Sequence, residues 1–342
     1  MREISIQKNE AGQRMDKFLA KYLNKAPKSF FYKMMRKKNI TLNGKKAVGN
    51  EQLKQGDVIK LFLAEETIEN FIDHSQFSKK KASSARKQTA GKKVQLDILY
   101  EDEAAVFINK PVGMLSQKAS PTDTSLVEYF IDYLLENGKI TEEELHTFHP
   151  SVCNRLDRNT SGIVAAGKTL QALQGLSEMF RDRTLKKYYL CLVKGQVKEN
   201  QRIHGYLVKN EKRNKVTVSQ KKPAEQTKEW KEASAIDTEY KVLARNRETT
   251  LLEVHLITGK THQIRAHLAS IGHPIAGDYK YGNRSFNDAL KKKYGLRSQL
   301  LHAYRLEFPE NCEGDIKQLS GKIIKASVPA LFEQICKAQG VM

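Results

Sequence analysis

A carboxylate set between guanidinium groups and run straight into an apolar segment leaves a chain few ways to fold. This sequence has such a stretch at Arg155-Leu156-Asp157-Arg158-Asn159-Thr160-Ser161-Gly162, followed by Ile163-Val164-Ala165-Ala166. The four apolar residues have the length and composition of a buried strand. Arginine and aspartate are seldom buried unless paired, so the charges must stand at the strand's end, delivered there by the Thr-Ser-Gly turn. Asp157 is therefore the residue around which the rest of the chain is read.

The surrounding chain alternates strands and helices without a βαβ rhythm. Ala104 to Lys110 reads as a strand stopped by Pro111. Ser125 and Glu128 have capping-box spacing and open a helix carrying Phe130, Ile131, Leu134 and Leu135; Thr141 and Glu144 repeat the spacing and predict another helix. Tyr188 to Val193 is rich in β-forming types and ends at Gly195. Residues 198–235 are polar and lysine-rich, as hairpins and surface loops are. Thr250 to Ile257 is a further strand. Thr258-Gly259-Lys260 then turns the chain into a helix with Thr261 as N-cap and Ile264, Leu268 and Ile271 as its apolar stripe, ended by Gly272 and Pro274. Leu300 to Phe308 is a late strand. The fold class expected is α+β with a mixed, mostly antiparallel sheet.

Charge divides the chain. Residues 1–93 hold 22 Lys or Arg against 9 Asp or Glu, a net of +13, whereas the other 249 residues supply only +7 of the total of +20. A lysine-rich composition alone would raise charge everywhere, so the asymmetry marks a polyanion-binding module at the N-terminus. Met15, Phe18, Leu19, Tyr22 and Leu23 have helical spacing. A second helix after Pro27 carries Phe30, Phe31, Met34 and Met35 on one side, with Lys28, Lys33, Arg36, Lys37 and Lys38 around it. Ile40 to Lys45 reads as a strand with an Asn43-Gly44 turn, and Val58 to Leu63 as the last strand. Arg14-x-Asp16-x-x-Leu19 and Ile40-x-Leu42-Asn43-Gly44 resemble an S4-like RNA-binding domain. The expected organisation is an S4-like domain over 1–63, a flexible basic linker over 64–93 and a catalytic domain over 94–342.

Several chemistries are disfavoured. No G-x-G-x-x-G occurs, which argues against a Rossmann cofactor site. Cys153, Cys191, Cys312 and Cys336 form no C-x-x-C pair and read as reduced thiols. His262 and His267 are off the spacing of a helical zinc pair, so packing or capping is their expected use. Ser161 lacks a nucleophile elbow and an evident histidine base. No apolar run reaches the ~18 residues of a membrane span and no secretory signal is visible, so a cytoplasmic, monomeric protein is expected. What remains is Asp157. An enclosed carboxylate needs a cation within ~4–6 Å to stay ionised, and Arg155, Arg158 and Arg265 are the candidates. On residue types alone, a catalytic carboxylate and a structural ion-pair network fit equally well.

A resemblance separates the two. Arg155-Leu156-Asp157-x-x-Thr160-Ser161-Gly162, Lys187-x-Tyr189-x-x-Leu192-Val193-x-Gly195 and Gly259-Lys260-Thr261-His262-Gln263-Ile264-Arg265-x-His267-Leu268 are similar to the motifs of RluA-type RNA pseudouridine synthases. Ile271-Gly272-His273-Pro274-Ile275-x-Gly277-Asp278-x-x-Tyr281-Gly282 completes the set, in order, between about residues 94 and 308. The resemblance implies isomerisation of uridine to pseudouridine in large-subunit (23S) ribosomal RNA, with no cofactor and no metal. Through it Asp157 becomes the essential carboxylate, attacking C1′ or taking the C2′ proton so that the bond to N1 breaks and the uracil rejoins through C5. Tyr189 is implied to pack on the base and assist loss of the C5 proton. Arg265 would hold Asp157 ionised and aimed, and Arg155 would stack in the gap left by the flipped uridine, an extrusion costing a few kcal/mol. Transfer RNA as the target, or a non-catalytic ribosome-assembly factor that binds RNA, are the competing expectations. One departure stands out: Asn154 occupies a position where many members carry histidine, and a change in local support or substrate is expected from it.

Overall fold

The computed structural model describes residues 1–73, 94–142, 144–210, 215–224 and 233–342. The first of these stretches builds its own core. Strands β1 (Arg2–Ser5), β2 (Ile40–Leu42), β3 (Lys45–Lys46) and β4 (Val58–Leu61) form an antiparallel sheet in the order β1-β4-β2-β3. Helices α1 (Met15–Tyr22) and α2 (Lys28–Arg36) cover it with Met15, Phe18, Leu19, Phe31 and Met35, each at most 1% exposed. Asn43 and Gly44 both have positive φ (49° and 73°), the requirement of a two-residue type I′ hairpin turn.

The first residues of the segment expected to be a linker are folded. Glu65–Asn70 is a helix, α3, and Ile68 and Ile72, one helical turn apart, are buried in the same core. Two apolar residues at i, i+4 suffice to dock a polar segment. The remainder of the expected linker, 74–93, lies outside the described residues. The N-terminal unit touches the rest of the chain where Thr147 Oγ1 donates to Glu10 Oε1 (2.6 Å) and Asn9 Nδ2 to Glu144 Oε1 (3.0 Å).

Beyond residue 94 an eleven-stranded sheet dominates the described residues. Its strands are β5 (Ile98–Glu101), β6 (Ala105–Lys110), β7 (Ser151–Val152), β8 (Ser161–Gly167), β9 (Lys186–Lys194), β10 (Gln201–Asn210), β11 (Lys215–Ser219), β12 (Ser234–Arg245), β13 (Thr249–Leu256), β14 (Leu301–Glu307) and β15 (Ile323–Lys325). The order is β11-β10-β12-β13-β9-β14-β8-β6-β5, with β15 on β14 and β7 on β8. All pairs are antiparallel except β14 with β8, a parallel link two residue pairs long at His302–Ser161 and Ala303–Gly162. The mixed, mostly antiparallel α+β sheet expected from the sequence is the one observed.

That link joins the two halves of the sheet, and it is tight. Gly162 has φ 112°, and a Cβ there would collide with the carbonyl oxygen of Ala303, so glycine is required. Every residue of β8 is buried, because both faces of the sheet are covered. Val164 and Ala166 pack with Phe130 and Leu134 of α4 (Leu126–Glu136); Ile163 and Ala165 pack with Ala172 and Leu176 of α5 (Leu170–Asp182). The Ser125–Glu128 capping box forms as expected. The Thr141–Glu144 box also closes, but only the short 3₁₀ turn Glu144–His146 follows it in place of the expected helix. Helices α6 (Gln263–Ser270), α7 (Arg284–Tyr294) and α8 (Ala330–Ala338) complete the unit.

Candidate active site

Asp157 lies in the loop between β7 and β8, and polar groups fix that loop from three sides. Asn154 is the first anchor: its Nδ2 donates to Ile163 O (3.2 Å) and its Oδ1 accepts from the Ala165 N–H (2.8 Å), tying the loop to β8. The amide at the family's histidine position thus serves as local support. Ser116 Oγ accepts the Leu156 N–H and donates to Leu156 O, both at 3.0 Å. Lys110, fully buried, spends its three ammonium protons on the carbonyls of Pro111 (2.9 Å), Met114 (2.9 Å) and Arg158 (3.2 Å). Burial pushes its pKa down to about 8, against the pull of Asp157.

From the opposite side α6 presents Arg265. Its Nη1 donates to Asp157 Oδ2 at 2.8 Å, while Nε and Nη2 form a fork on Asp278 at 2.7 and 3.0 Å. Asp278, 1% exposed, also accepts the backbone N–H groups of Lys280 and Tyr281. Burial alone would lower the pKa of the guanidinium and raise that of Asp278. Their mutual ion pair more than reverses both, so Arg265 titrates above and Asp278 below its ordinary value. The two carboxylates therefore hold one buried arginine between them, aimed at Asp157. Of the three arginines weighed as partners, only Arg265 pairs with it. Arg155 and Arg158 are exposed, and Arg158 Nε donates instead to Gly113 O (3.1 Å).

The helix expected to be capped by Thr261 begins one residue later. His262 is the N-cap, in the left-handed conformation (φ 55°), and makes no capping hydrogen bond. Its Nε2 stands 3.7 Å from Asp157 Oδ2 and its Nδ1 3.0 Å from the Tyr281 hydroxyl. Burial, ahead of the neighbouring charges, lowers its pKa. The packing or capping role expected for both histidines holds for His267, which is buried against the Thr238 hydroxyl (3.0 Å), and fails for His262. Gln263 braces the bend: its Oε1 accepts from Thr258 Oγ1 and the Lys260 N–H, and its Nε2 donates to Asp237 O.

Tyr189 reaches the same place from β9. It is 8% exposed, and burial, assisted by Asp157, raises the pKa of its hydroxyl. Tyr188 points to the other face, stacked on His255 with centroids 4.8 Å apart. Asp157, Tyr189, Arg265, His262 and Arg155 all line one cleft of about 750 Å³, whose apolar wall includes Leu156, Leu256, Ile264 and Leu301. That volume suits a single small group such as a nucleoside. Lys28, Lys33, Arg36, Lys37 and Lys38 stand elsewhere, all exposed on and just after α2.

Ser161 does have a histidine, which the sequence conceals: His302 Nδ1 lies 2.9 Å from Ser161 Oγ, from 141 residues away. Both are sealed, at 2% and 0% exposure, and His302 Nε2 faces the Ala326 carbonyl. No substrate reaches this pair. Besides His302, the residues that sequence reasoning passed over are His262, Asp278, Tyr281 and Lys110. Asp278 and Tyr281 carried a signal as fixed positions of the last motif and His262 as one of the motif before it, whereas Lys110 carried none.

Residues 104–270 match the family described as RNA pseudouridylate synthase. The chain is 34% identical over 316 residues to the ribosomal large subunit pseudouridine synthase C of Vibrio parahaemolyticus, covering 91% of this chain and 90% of that one. It is 32% identical to the protein of the same name from Salmonella typhi, over 94% and 93% of the two chains. Among solved structures, human RNA pseudouridylate synthase domain containing 4 shares the fold, with a TM-score of 0.58 at 23% identity over 72% of this chain and 94% of that one. The ordered motifs, the cleft they build and the extent of these likenesses agree: this chain belongs to the RNA pseudouridylate synthases, the isomerases that turn uridine in RNA into pseudouridine.

Proposed function

We propose that this enzyme modifies uridines of large-subunit ribosomal RNA, with Asp157 as the essential carboxylate and the N-terminal unit as an RNA-binding module. The observation that carries the chemical assignment is the placement of Asp157 in the cleft, with Arg265 on its Oδ2. Among the described residues Oδ1 has no hydrogen-bond partner, so one oxygen is anchored and the other is available to the ribose. Asp157 either bonds to C1′ or takes the C2′ proton, and the electron pair of the N1–C1′ bond passes to the uracil. The ring turns and C5 bonds to C1′ as the Asp157–C1′ bond breaks or, on the other route, as C2′ regains its proton; the C5 proton leaves and N1 gains one. The product is an isomer, so the atoms balance without a co-reactant. Tyr189 packs against the base, and burial moves the pKa of its hydroxyl further above neutrality. Arg155, exposed on the cleft wall, fills the stack that the flipped uridine leaves.

The ribosomal target is supported by the names of the relatives, which are large-subunit synthases. The cations on and after α2 supply affinity by phosphate neutralisation. No helix of the described residues is long and apolar enough to cross a membrane, and the chain acts as a monomer in the cytoplasm. The test is tritium release from ribosomal RNA labelled at uridine C5. Wild type releases label, whereas Asp157→Asn binds the RNA and releases none. Absence of release from every ribosomal RNA by the wild type overturns the target, and release by the variant overturns the role of Asp157.

A further inference from the structure

We propose that Tyr281 and His262 are positioning residues for Asp157, acting as a relay anchored on the β10–β11 hairpin; this rests on Asp157 being the essential carboxylate. The relay is short. The Val216 N–H, on β11, donates to the Tyr281 hydroxyl at 3.0 Å; that hydroxyl is 3.0 Å from His262 Nδ1; and His262 Nε2 is 3.7 Å from Asp157 Oδ2.

The direction of its protons follows from counting them. A phenol has one proton, and the Tyr281 oxygen already accepts from Val216. Donating that proton to Nδ1 places the imidazole N–H on Nε2, facing the carboxylate. The reverse assignment leaves the phenol proton without an acceptor and aims a nitrogen lone pair at Asp157. Tyr281 therefore fixes the histidine tautomer, as a partner on the far ring nitrogen does elsewhere.

Packing supports the same reading. The Tyr281 ring meets His262 edge-on at 5.6 Å, and the Arg265 guanidinium lies 5.2 Å from its centroid, so one phenol touches both partners of Asp157 Oδ2. His262 occupies a left-handed conformation that non-glycine residues seldom adopt, and it is this bend that turns Nε2 toward the carboxylate. The hairpin is seated on α6 by Leu207 and Val216, which cluster with Ile236 of β12 around Ala266. Because β11 is the edge strand of the sheet, the Val216 N–H is free of the ladder and reaches Tyr281.

The test is a kinetic cycle on the full chain, with C5-tritiated ribosomal RNA as substrate. Tyr281→Phe keeps the ring and removes the hydroxyl; kcat should fall about tenfold, the rate equivalent of one hydrogen bond, with KM within about twofold of wild type. His262→Ala should lose about a hundredfold. His262→Gln, whose amide nitrogen can stand near the Nε2 position, should recover most of that loss. Because the tyrosine acts through the histidine, Tyr281→Phe should cost nothing further in the His262→Ala background. If His262→Ala fails to fold, His262→Asn, which lacks a donor at the Nε2 position, takes its place. An unchanged kcat in Tyr281→Phe, additive losses in the double variant, or a glutamine no better than alanine would overturn the relay. Asp157→Asn separates the two readings: if it stays active, the carboxylate assignment falls, and if it is dead while Tyr281→Phe is normal, only the relay falls.

Discussion

Two histidine-paired oxygens stand four residues apart in the same loop-to-strand segment, and the contrast between them is instructive. At Asp157 the carboxylate is partly open, held on one oxygen by a buried arginine, with His262 nearby. At Ser161 the hydroxyl and His302 are closed off, and their hydrogen bond ties β8 to β14 at the short parallel link. Residue types alone would favour the second pair as a nucleophile and its base. Access reverses the ranking: Ser161–His302 is a clasp, whereas Asp157 lines a cleft. Chemistry needs a polar group that is held and still reachable, and a group held on every side can only stabilise the fold.

The largest test of this contrast is Asp278→Ala. It leaves Arg265 buried without the carboxylate that takes two of its donors, so about 3–5 kcal/mol of stability should be lost. Tritium release should fall at least a hundredfold where the protein remains folded. An active and stable Asp278→Ala would break the idea that Asp157 is aimed through Arg265.

The next concerns the clasp alone. Burial lowers the pKa of His302 from 6.5 to about 4. The native state therefore binds fewer protons than the unfolded chain between these values, and stability contributed by the neutral imidazole is lost as pH falls from 6.5 toward 4. The loss should approach ~3 kcal/mol in urea titrations, and His302→Gln should flatten that slope. Ser161→Ala is smaller, at about 1–3 kcal/mol for a buried acceptor left unpaired. Turnover by the folded variant should stay within about twofold of wild type. A collapse of turnover without loss of stability would move Ser161 from clasp to catalyst. The smallest effect belongs to the exposed cations. Replacing Lys28, Lys33, Arg36, Lys37 and Lys38 with glutamine should leave kcat alone and flatten the log–log dependence of RNA binding on salt, by about 0.7–0.9 for each phosphate no longer neutralised.

How much of this was legible in the sequence depends on the distance over which each feature is encoded. The Asn43-Gly44 turn, the Ser125–Glu128 box and the apolar run of β8 are written within a few residues, and all three form. Strand β1 has no pattern of its own and exists because β4, more than fifty residues later, supplies its hydrogen bonds. The Thr141–Glu144 box was locally correct but had too little apolar sequence behind it to extend a helix. In the site, Asp157 and Arg265 could be named from residue type and motif. The role of His262 could not, because it depends on a left-handed bend and on a tyrosine 19 residues away. His302 was hidden for the same reason on a larger scale, as no local signal places it beside Ser161.

The short parallel link between β14 and β8 also has a mechanical meaning. On either side of it the sheet is a continuous antiparallel plate, while the join is two residue pairs wide. Any flexing of one plate against the other turns about that join, and points beside an axis of rotation move least. Asp157 lies in the loop four residues before the join, and the Lys110 ammonium grips the carbonyl of Arg158, the residue after Asp157. A carboxylate placed beside so narrow a join should shift less than the outer walls of the cleft when the two plates flex.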